Sequence, residues 1–272
     1  MTRWIDSMTL WRELLSLWRA RALLKVLTRR ELDARHAGTA AGVLWPYVQP
    51  LLVVGAYYLV LDVVFAMRLG PEAPVKAVGT FLIIGSLPWM AFCDALSRGA
   101  NSLLDAGSVL QKNALPTVLF PVRAVLASAV IYGPLMLIVG LFYGPFHHFS
   151  LALLALVPLM ALQALLTVLL AYLLAIFAAA LRDTLQLLGF FLSVGIYLSP
   201  VLFPIGLFPT GWRWTLWINP ITPFVLAYQD VMLTGAWPAP YLWGVAMVWI
   251  VVTALLLAPV LRHSRDQLID WL

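Results

Sequence analysis

The first part of the chain combines apolar and basic residues at the spacing of an amphipathic helix. From residue 9 to residue 33, apolar positions recur at i, i+3, i+4 and i+7, and basic side chains fill many positions between them. Such a helix is expected to lie in the headgroup plane of a membrane, where each Lys or Arg contributes about 1 kcal/mol against anionic lipid. Packing on a protein partner is the alternative, and both environments can occur at different ends of the helix. The apolar positions are Leu10, Leu14, Leu17, Trp18 and, one face over, Trp11, Leu15, Ala22, Val26.

Long apolar runs follow this segment, each close to the length of a membrane-spanning helix. About 20 apolar residues, rising about 1.5 Å each, cross a hydrocarbon core of ~30 Å. The sequence therefore predicts an all-α membrane protein with six transmembrane helices in a single domain over residues 1–272. The predicted spans lie near residues 42–66, 81–104, 118–143, 155–180, 185–203 and 241–261.

The segment 204–240 interrupts this pattern before the last span. It contains six prolines and three closely spaced tryptophans, and its apolar run 218–233 is too short and too rich in proline to cross a membrane. Backbone of this kind at membrane depth must be buried in protein or line a wet cavity. We therefore expect a re-entrant or interfacial helical hairpin, with its tryptophans at the headgroup belt.

Composition supports an integral membrane protein. Hydrophobic residues make up 63% of the chain and charged residues 11%, against about 45–50% and about 25% in soluble domains. The mean hydropathy is +0.94 and the isoelectric point about 9.6. With few charges in total, a net charge of +5 indicates membrane topology rather than nucleic-acid binding. The single cysteine, Cys93, excludes an internal disulfide.

The distribution of basic residues predicts the orientation. Eight of the 17 Lys and Arg lie between Arg3 and Arg35, before the first predicted span. If the N-terminus is cytoplasmic, fourteen basic residues fall on the cytoplasmic side and three on the outer side. We therefore expect both termini in the cytoplasm and the 204–240 hairpin on the outer side.

Charged residues inside the predicted spans are few. Asp94 and Arg98 are four residues apart on one helix face and can pair. Intramembrane charges are functional candidates, but an ion pair near a helix end is the favoured interpretation here.

The sequence carries no motif for chemistry of its own. It contains no G-x-x-x-x-G-K-[ST] phosphate loop, no Cys/His cluster with metal-ligand spacing and no suggestion of a Ser–His–Asp set. We therefore expect no enzyme activity, no metal and no cofactor in this chain. Aromatic residues are abundant, and they can line a channel in which sugars stack on ring faces.

The stretch 30–50 resembles the segment that leads into the first span of type-2 ABC exporter permeases for cell-surface polysaccharides. The match consists of Arg30, Leu32, Arg35, His36, Gly38, Thr39, Gly42, Trp45 and Pro50. Further along, the residues that agree in order are Lys112–Pro116, Phe120–Pro121, Arg182–Asp183, Ser199–Val201, Trp217, Asn219–Pro220 and Pro223. Among these permeases, the chain is most similar to the O-antigen exporter branch.

The resemblance implies a transport system rather than a chain that works alone. Two copies of this chain would combine with two copies of a separate ATP-binding subunit, which holds ATP and magnesium. The substrate would be a polysaccharide on undecaprenyl pyrophosphate, moved across the bacterial inner membrane for lipopolysaccharide biosynthesis. Other expected partners are membrane lipid and the lipid-linked substrate, with no role for nucleic acid.

The resemblance, together with the aromatic content, also implies roles for individual residues. ATPase coupling, centred on the segment 101–114, would use Arg29, Glu31, Leu104, Ser108, Gln111 and Lys112. Contact with the lipid pyrophosphate would use Arg30, Arg35 and His36, for which plain headgroup contact is the alternative. The candidate channel aromatics are Tyr57, Tyr58, Trp89, Phe92, Tyr132, Phe190, Phe191 and Tyr197. The periplasmic gate would comprise Trp212, Trp214, Trp217, Asn219 and Pro220.

Other functions remain open at this point. The chain could be an ABC permease for another surface glycan or for small hydrophobic compounds. It could also be a membrane enzyme that acts on lipid-linked sugars, although such an enzyme needs clustered carboxylates at one membrane face and the sequence suggests none.

Overall fold

A computed structural model describes residues 2–35, 44–70, 74–142, 150–265 and 267–272, and over these ranges the regular structure is helical. This confirms the predicted all-α class. The α-helices are α1 Thr2–Arg19, α2 Arg21–Arg35, α3 Trp45–Tyr57, α4 Val78–Asp105, α5 Gly107–Leu110, α6 Leu119–Phe142, α7 Leu156–Ala180, α8 Asp183–Gly195, α9 Thr222–Gln229, α10 Pro240–Ser264 and α11 Leu268–Trp271. Helices α3 and α9 continue as π-helical turns over Tyr58–Val64 and Asp230–Thr234, and 3-10 turns cover Leu151–Ala155, Ile205–Leu207 and Thr210–Ile218.

Helix α4 is the centre of the bundle. Its 28 residues extend about 42 Å, and it packs against α6 and α7 on one side and against α3, α8 and α9 on others. Every residue from Val78 to Trp89 is buried, and the helix continues through Pro88. The Gln163 side chain of α7 donates a hydrogen bond from Nε2 to the backbone carbonyl of Pro88 at 2.9 Å, so a side chain of a neighbouring helix gives this carbonyl a partner.

Five stretches in the described residues are long and apolar enough to cross a membrane. They are Tyr47–Val64, Val78–Asp105, Leu119–Leu141, Leu151–Ala180 and Pro240–Ser264. Each overlaps one of the six predicted spans, so the structure supports five of the six by length.

The predicted span 185–203 is shorter than expected. Helix α8 has only 13 residues, and the chain turns through residues 196–200. Side chains from the following segment take the backbone carbonyls at this bend: Asn219 Nδ2 donates to Gly195 O at 2.9 Å and Gln229 Nε2 to Pro200 O at 2.7 Å. These two carbonyls therefore have hydrogen-bond donors although the helix does not continue through the bend.

The N-terminal helix differs from the prediction in its bounds. It begins at Thr2, before residue 9, and it is divided into α1 and α2 at Ala20. Leu17 and Leu24 pack into the protein core, whereas Trp11 and Trp18 on the other side are 61% and 68% exposed. Buried and exposed apolar side chains thus lie on different faces of the helix.

Two apolar cores hold the bundle together. The larger core joins α4, α6, α7, α9 and α10. The second core lies at the end of the bundle where α1, α2 and α11 pack on α6, α7 and α10. We call this the terminal end, and the end formed by residues 204–240 the hairpin end.

The hairpin end contains a wholly buried helix. All eight residues of α9 are buried, and α9 packs against α4, α7 and α10. Gly235 ends the π-helical extension with a positive φ of 66°, a conformation that glycine adopts without strain. The proline-rich segment therefore places a short helix inside the protein.

Candidate functional site

Arg35, the last residue of α2, inserts its side chain between α4 and α6. The side chain is only 2% exposed, and Nη1 lies 3.0 Å from Asp94 Oδ2. Nη2 donates to Ser128 Oγ at 3.1 Å and to Ala124 O at 3.3 Å, and the Ser128 hydroxyl donates to the same Asp94 oxygen. Burial lowers the pKa of Arg35 from its ordinary value, and the Asp94 charge opposes that shift. Through these contacts the guanidinium links α2, α4 and α6.

Asp94 accepts from a second arginine. Arg98 Nε lies 2.8 Å from Asp94 Oδ1, which confirms the pair predicted from the four-residue spacing. Glu31 of α2 lies 4.0 Å from Arg35 Nε and 3.7 Å from Arg123 Nε of α6. We call these five residues (Glu31, Arg35, Asp94, Arg98 and Arg123) the charge cluster.

An open cleft of about 550 Å³ borders the charge cluster between α2, α4 and α6. Its α4 wall is polar, and the side chains there are Asp94, Ser97, Arg98, Asn101, Ser102 and Asp105. Cys93 also lines the cleft. Sequence reasoning did not find this site because its walls come from segments far apart in the chain. The one local signal was the pair of charges within the second apolar run.

The candidates for pyrophosphate contact do not share one environment. Arg30 is exposed, whereas Arg35 is buried in the charge cluster. Five residues of helix separate their directions by about 140°. The third candidate, His36, lies outside the described residues, as do Gly38, Thr39 and Gly42 of the matching stretch.

The coupling candidates lie at the terminal end. Ser108, Gln111 and Lys112 are exposed around the short helix α5, and Arg29 is exposed on α2. Leu104 is half-buried. Glu31 belongs to the charge cluster and not to this exposed group.

The candidate channel aromatics separate into buried and exposed groups. Trp89 and Phe92 are buried, at 6% and 3% exposure, with ring centroids 6.1 Å apart. A side chain at Gly195 would come within 2.7 Å of Trp89, so the α8 terminus packs closely over this ring. Tyr57 and Tyr132 are half-buried. The exposed group comprises Tyr58, Phe190, Phe191 and Tyr197.

The gate candidates lie together at the hairpin end. Trp212 and Trp214 are exposed at 63% and 61%, and Trp217 meets Tyr241 edge-on with ring centroids 6.1 Å apart. Asn219 ties this segment to the end of α8. Pro220 follows at the turn that leads into α9 and is half-buried.

Metal chemistry has no candidate site in the part of the chain that the structure describes. No group of three or more His, Cys, Asp and Glu residues comes together there. The charge cluster pairs its carboxylates with arginines and offers no such ligand set.

Comparison with known proteins identifies the family of this bundle. Residues 8–233, which include the charge cluster, the cleft and α9, match the family described as "ABC-2 type transporter". The chain belongs to this family. It is therefore a multi-pass transporter permease and not a catalytic subunit.

Curated relatives agree with this assignment and are more specific in their names. An "O-antigen export system permease protein RfbA" of Myxococcus xanthus is 30% identical over 216 residues, which cover 78% of this chain and 80% of the relative. Two proteins of the same name from Klebsiella pneumoniae are 25% and 24% identical over 220 residues, covering 78% of this chain and 81% of each relative.

Proposed function

We propose that this chain is the transmembrane subunit of an ABC transporter that exports O-antigen-type polysaccharide linked to undecaprenyl pyrophosphate. The observation that carries the proposal is the similarity to O-antigen export permeases over 78% of this chain and about four-fifths of their length. The substrate would move from the cytoplasmic leaflet of the inner membrane to the periplasm.

The proposed layout has six spans, with α8 as a short fifth span. Its 13 residues extend about 20 Å, and the turns at 196–203 would complete the crossing. Protein side chains satisfy carbonyls at this bend, which is the condition for irregular backbone at membrane depth. The excess of basic residues near the terminal end supports a cytoplasmic position for it, with the hairpin end in the periplasm.

The proposed energy source is a separate ATP-binding subunit, present in two copies and loaded with ATP and magnesium. It would dock at the terminal end against the coupling segment 101–114 and against Arg29. The exposure of Ser108, Gln111 and Lys112 supports this surface. A second copy of the permease would complete the channel, and the exposed aromatics of α8 and its following turn are available to line it.

The proposed path for the lipid pyrophosphate passes the end of α2. Arg30 is exposed there and can contact a phosphate group. Arg35 is engaged by Asp94, Ser128 and the Ala124 carbonyl. A pyrophosphate contact by Arg35 would therefore require the pair with Asp94 to open.

The test combines genetics with purification. Deletion of the gene should abolish surface polysaccharide and leave lipid-linked polysaccharide in the cytoplasmic leaflet, and the intact gene should restore export. The tagged chain should co-purify with the proposed ATP-binding subunit, and an ATPase-inactive form of that subunit should block rescue. Unchanged surface polysaccharide in the deletion strain would refute the proposal.

A further inference from the structure

A polar stripe runs along the half of α4 that lies nearer the terminal end of the bundle. Helix α4 is long and apolar enough to cross a membrane. Asp94, Ser97, Arg98, Asn101 and Asp105 recur at the three- and four-residue spacing that aligns side chains on one helix face. Lipid does not solvate such groups, so polar residues at this depth face protein or water. The stripe forms one wall of the cleft.

The cleft is large enough to be filled with water. Its volume of about 550 Å³ accommodates roughly 18 water molecules at ~30 Å³ each. Helix α4 extends about 42 Å, which is longer than a hydrocarbon core of ~30 Å. Helix α4 is therefore longer than such a core is thick, and the stripe occupies the half of α4 nearer the terminal end, from which the substrate would enter.

The charges in and beside the cleft balance. Three carboxylates (Glu31, Asp94, Asp105) stand against three guanidinium groups (Arg35, Arg98, Arg123). Arg35 is buried beside the cleft and does not line it, so a diphosphate in the cleft would meet three carboxylates and two guanidinium groups and would gain little from their combined field. The hydroxyl groups of a sugar chain both donate and accept hydrogen bonds. The carboxylates of the cleft can accept from these hydroxyls, and the guanidinium groups can donate to them.

We propose that the cleft between α2, α4 and α6 is a water-filled vestibule that binds the sugar chain of the substrate, and not its diphosphate. This inference rests on the proposed function, since it assigns part of the same substrate to a site. It separates the two parts of the substrate: the diphosphate near exposed Arg30, and the sugar chain along the polar stripe.

Thiol labelling tests the hydration of the cleft. Cys93 is the only cysteine of the chain, so Cys93→Ala gives a cysteine-free background for Ser97→Cys and Asn101→Cys. The control is Leu255→Cys on α10, a span residue that is 65% exposed and expected to face lipid. In the permease–ATPase complex in lipid nanodiscs, a charged thiol reagent should label positions 97 and 101 at least about tenfold faster than position 255, because the reactive thiolate forms in water. Labelling as slow as at position 255 would overturn the vestibule.

Protection from labelling tests the ligand. The probes are an oligosaccharide cut from the exported polysaccharide and freed of its lipid, and inorganic pyrophosphate. The oligosaccharide should slow labelling at Ser97→Cys and Asn101→Cys, and pyrophosphate should not. Protection by pyrophosphate alone, or by neither probe, would overturn the sugar-chain assignment.

The two proposals fail in different ways. If the complex exports lipid-linked polysaccharide but the oligosaccharide gives no protection, only the vestibule assignment is wrong. If the complex exports no polysaccharide and the deletion strain keeps its surface polysaccharide, the proposed function is wrong, whatever the labelling rates.

Discussion

Removing the Asp94 carboxylate should destabilise the protein far more than removing Arg98, although both belong to the same ion-pair network. Asp94 contacts Arg35, whose side chain is 2% exposed, and Arg98, whose side chain is 42% exposed. In Asp94→Ala, the Arg35 guanidinium stays buried without its close counter-charge, and the nearest remaining carboxylate is that of Glu31, 4.0 Å from Nε. In Arg98→Ala, Asp94 keeps Arg35 and the Ser128 hydroxyl.

The burial of the two arginines sets the expected magnitudes. Loss of one partner from a buried pair costs about 3–5 kcal/mol, and the 21% exposure of Asp94 favours the lower end of that range. An exposed pair contributes roughly 0–1 kcal/mol. At about 2–4 °C per kcal/mol for a chain of this size, Asp94→Ala should lower the melting temperature by at least ~6 °C, and Arg98→Ala by at most ~4 °C.

The assay is thermal unfolding of the purified chain in detergent, followed by tryptophan fluorescence. The double variant Arg35→Met with Asp94→Leu removes both buried charges and should recover most of the loss, because neither charge is then left without a partner. Equal losses in Asp94→Ala and Arg98→Ala would refute the assignment of the buried pair. So would a double variant no more stable than Asp94→Ala.

Four further variants test other parts of the structure. Lys112→Glu should reduce polysaccharide export while the partner's ATP hydrolysis continues, if the exposed segment after α5 couples the two subunits; unchanged export would exclude that role. Burial raises the pKa of the Glu13 carboxyl group above its ordinary 4.5, so the folded state binds the carboxyl proton more tightly than the unfolded chain does. The contribution of Glu13 to the free energy of unfolding therefore falls as the pH rises from the unfolded pKa through the higher folded pKa. Glu13→Gln should remove this part of the pH dependence and raise the melting temperature near pH 7; a parallel pH profile would contradict the raised pKa. Trp89→Ala and Tyr132→Ala should each alter export if these rings line the path, and wild-type transport at normal protein levels would remove them from the channel.

Local features of the chain account for what could be predicted well. Apolar runs predict spanning helices because the i to i−4 hydrogen bonds of a helix form within the run itself. The Asp94–Arg98 ion pair could be predicted for the same reason, since both residues belong to one helix.

The structure differs from the sequence predictions where segments far apart in the chain contact the same backbone groups or side chains. Helix α8 ends before residue 203 because Asn219 and Gln229 take carbonyls at the bend, and neither residue is near α8 in sequence. In the N-terminal helix, packing on α6 and α10 partly buries Leu10 and Leu17 and leaves Trp18 exposed, although all three belong to one apolar face in sequence.

The sequence by itself determined that this protein is a helical membrane bundle with few charges, a basic N-terminal helix and a proline-rich segment before its last span. Only the tertiary structure decided that Arg35 binds Asp94, because 59 residues separate them and no periodicity relates positions on different helices. The cleft depends on the same packing, since α2, α4 and α6 must meet before it has walls. An arginine beside a membrane span looks the same in sequence whether its side chain contacts lipid, phosphate or a buried carboxylate. The burial of that side chain in the folded protein distinguishes these environments.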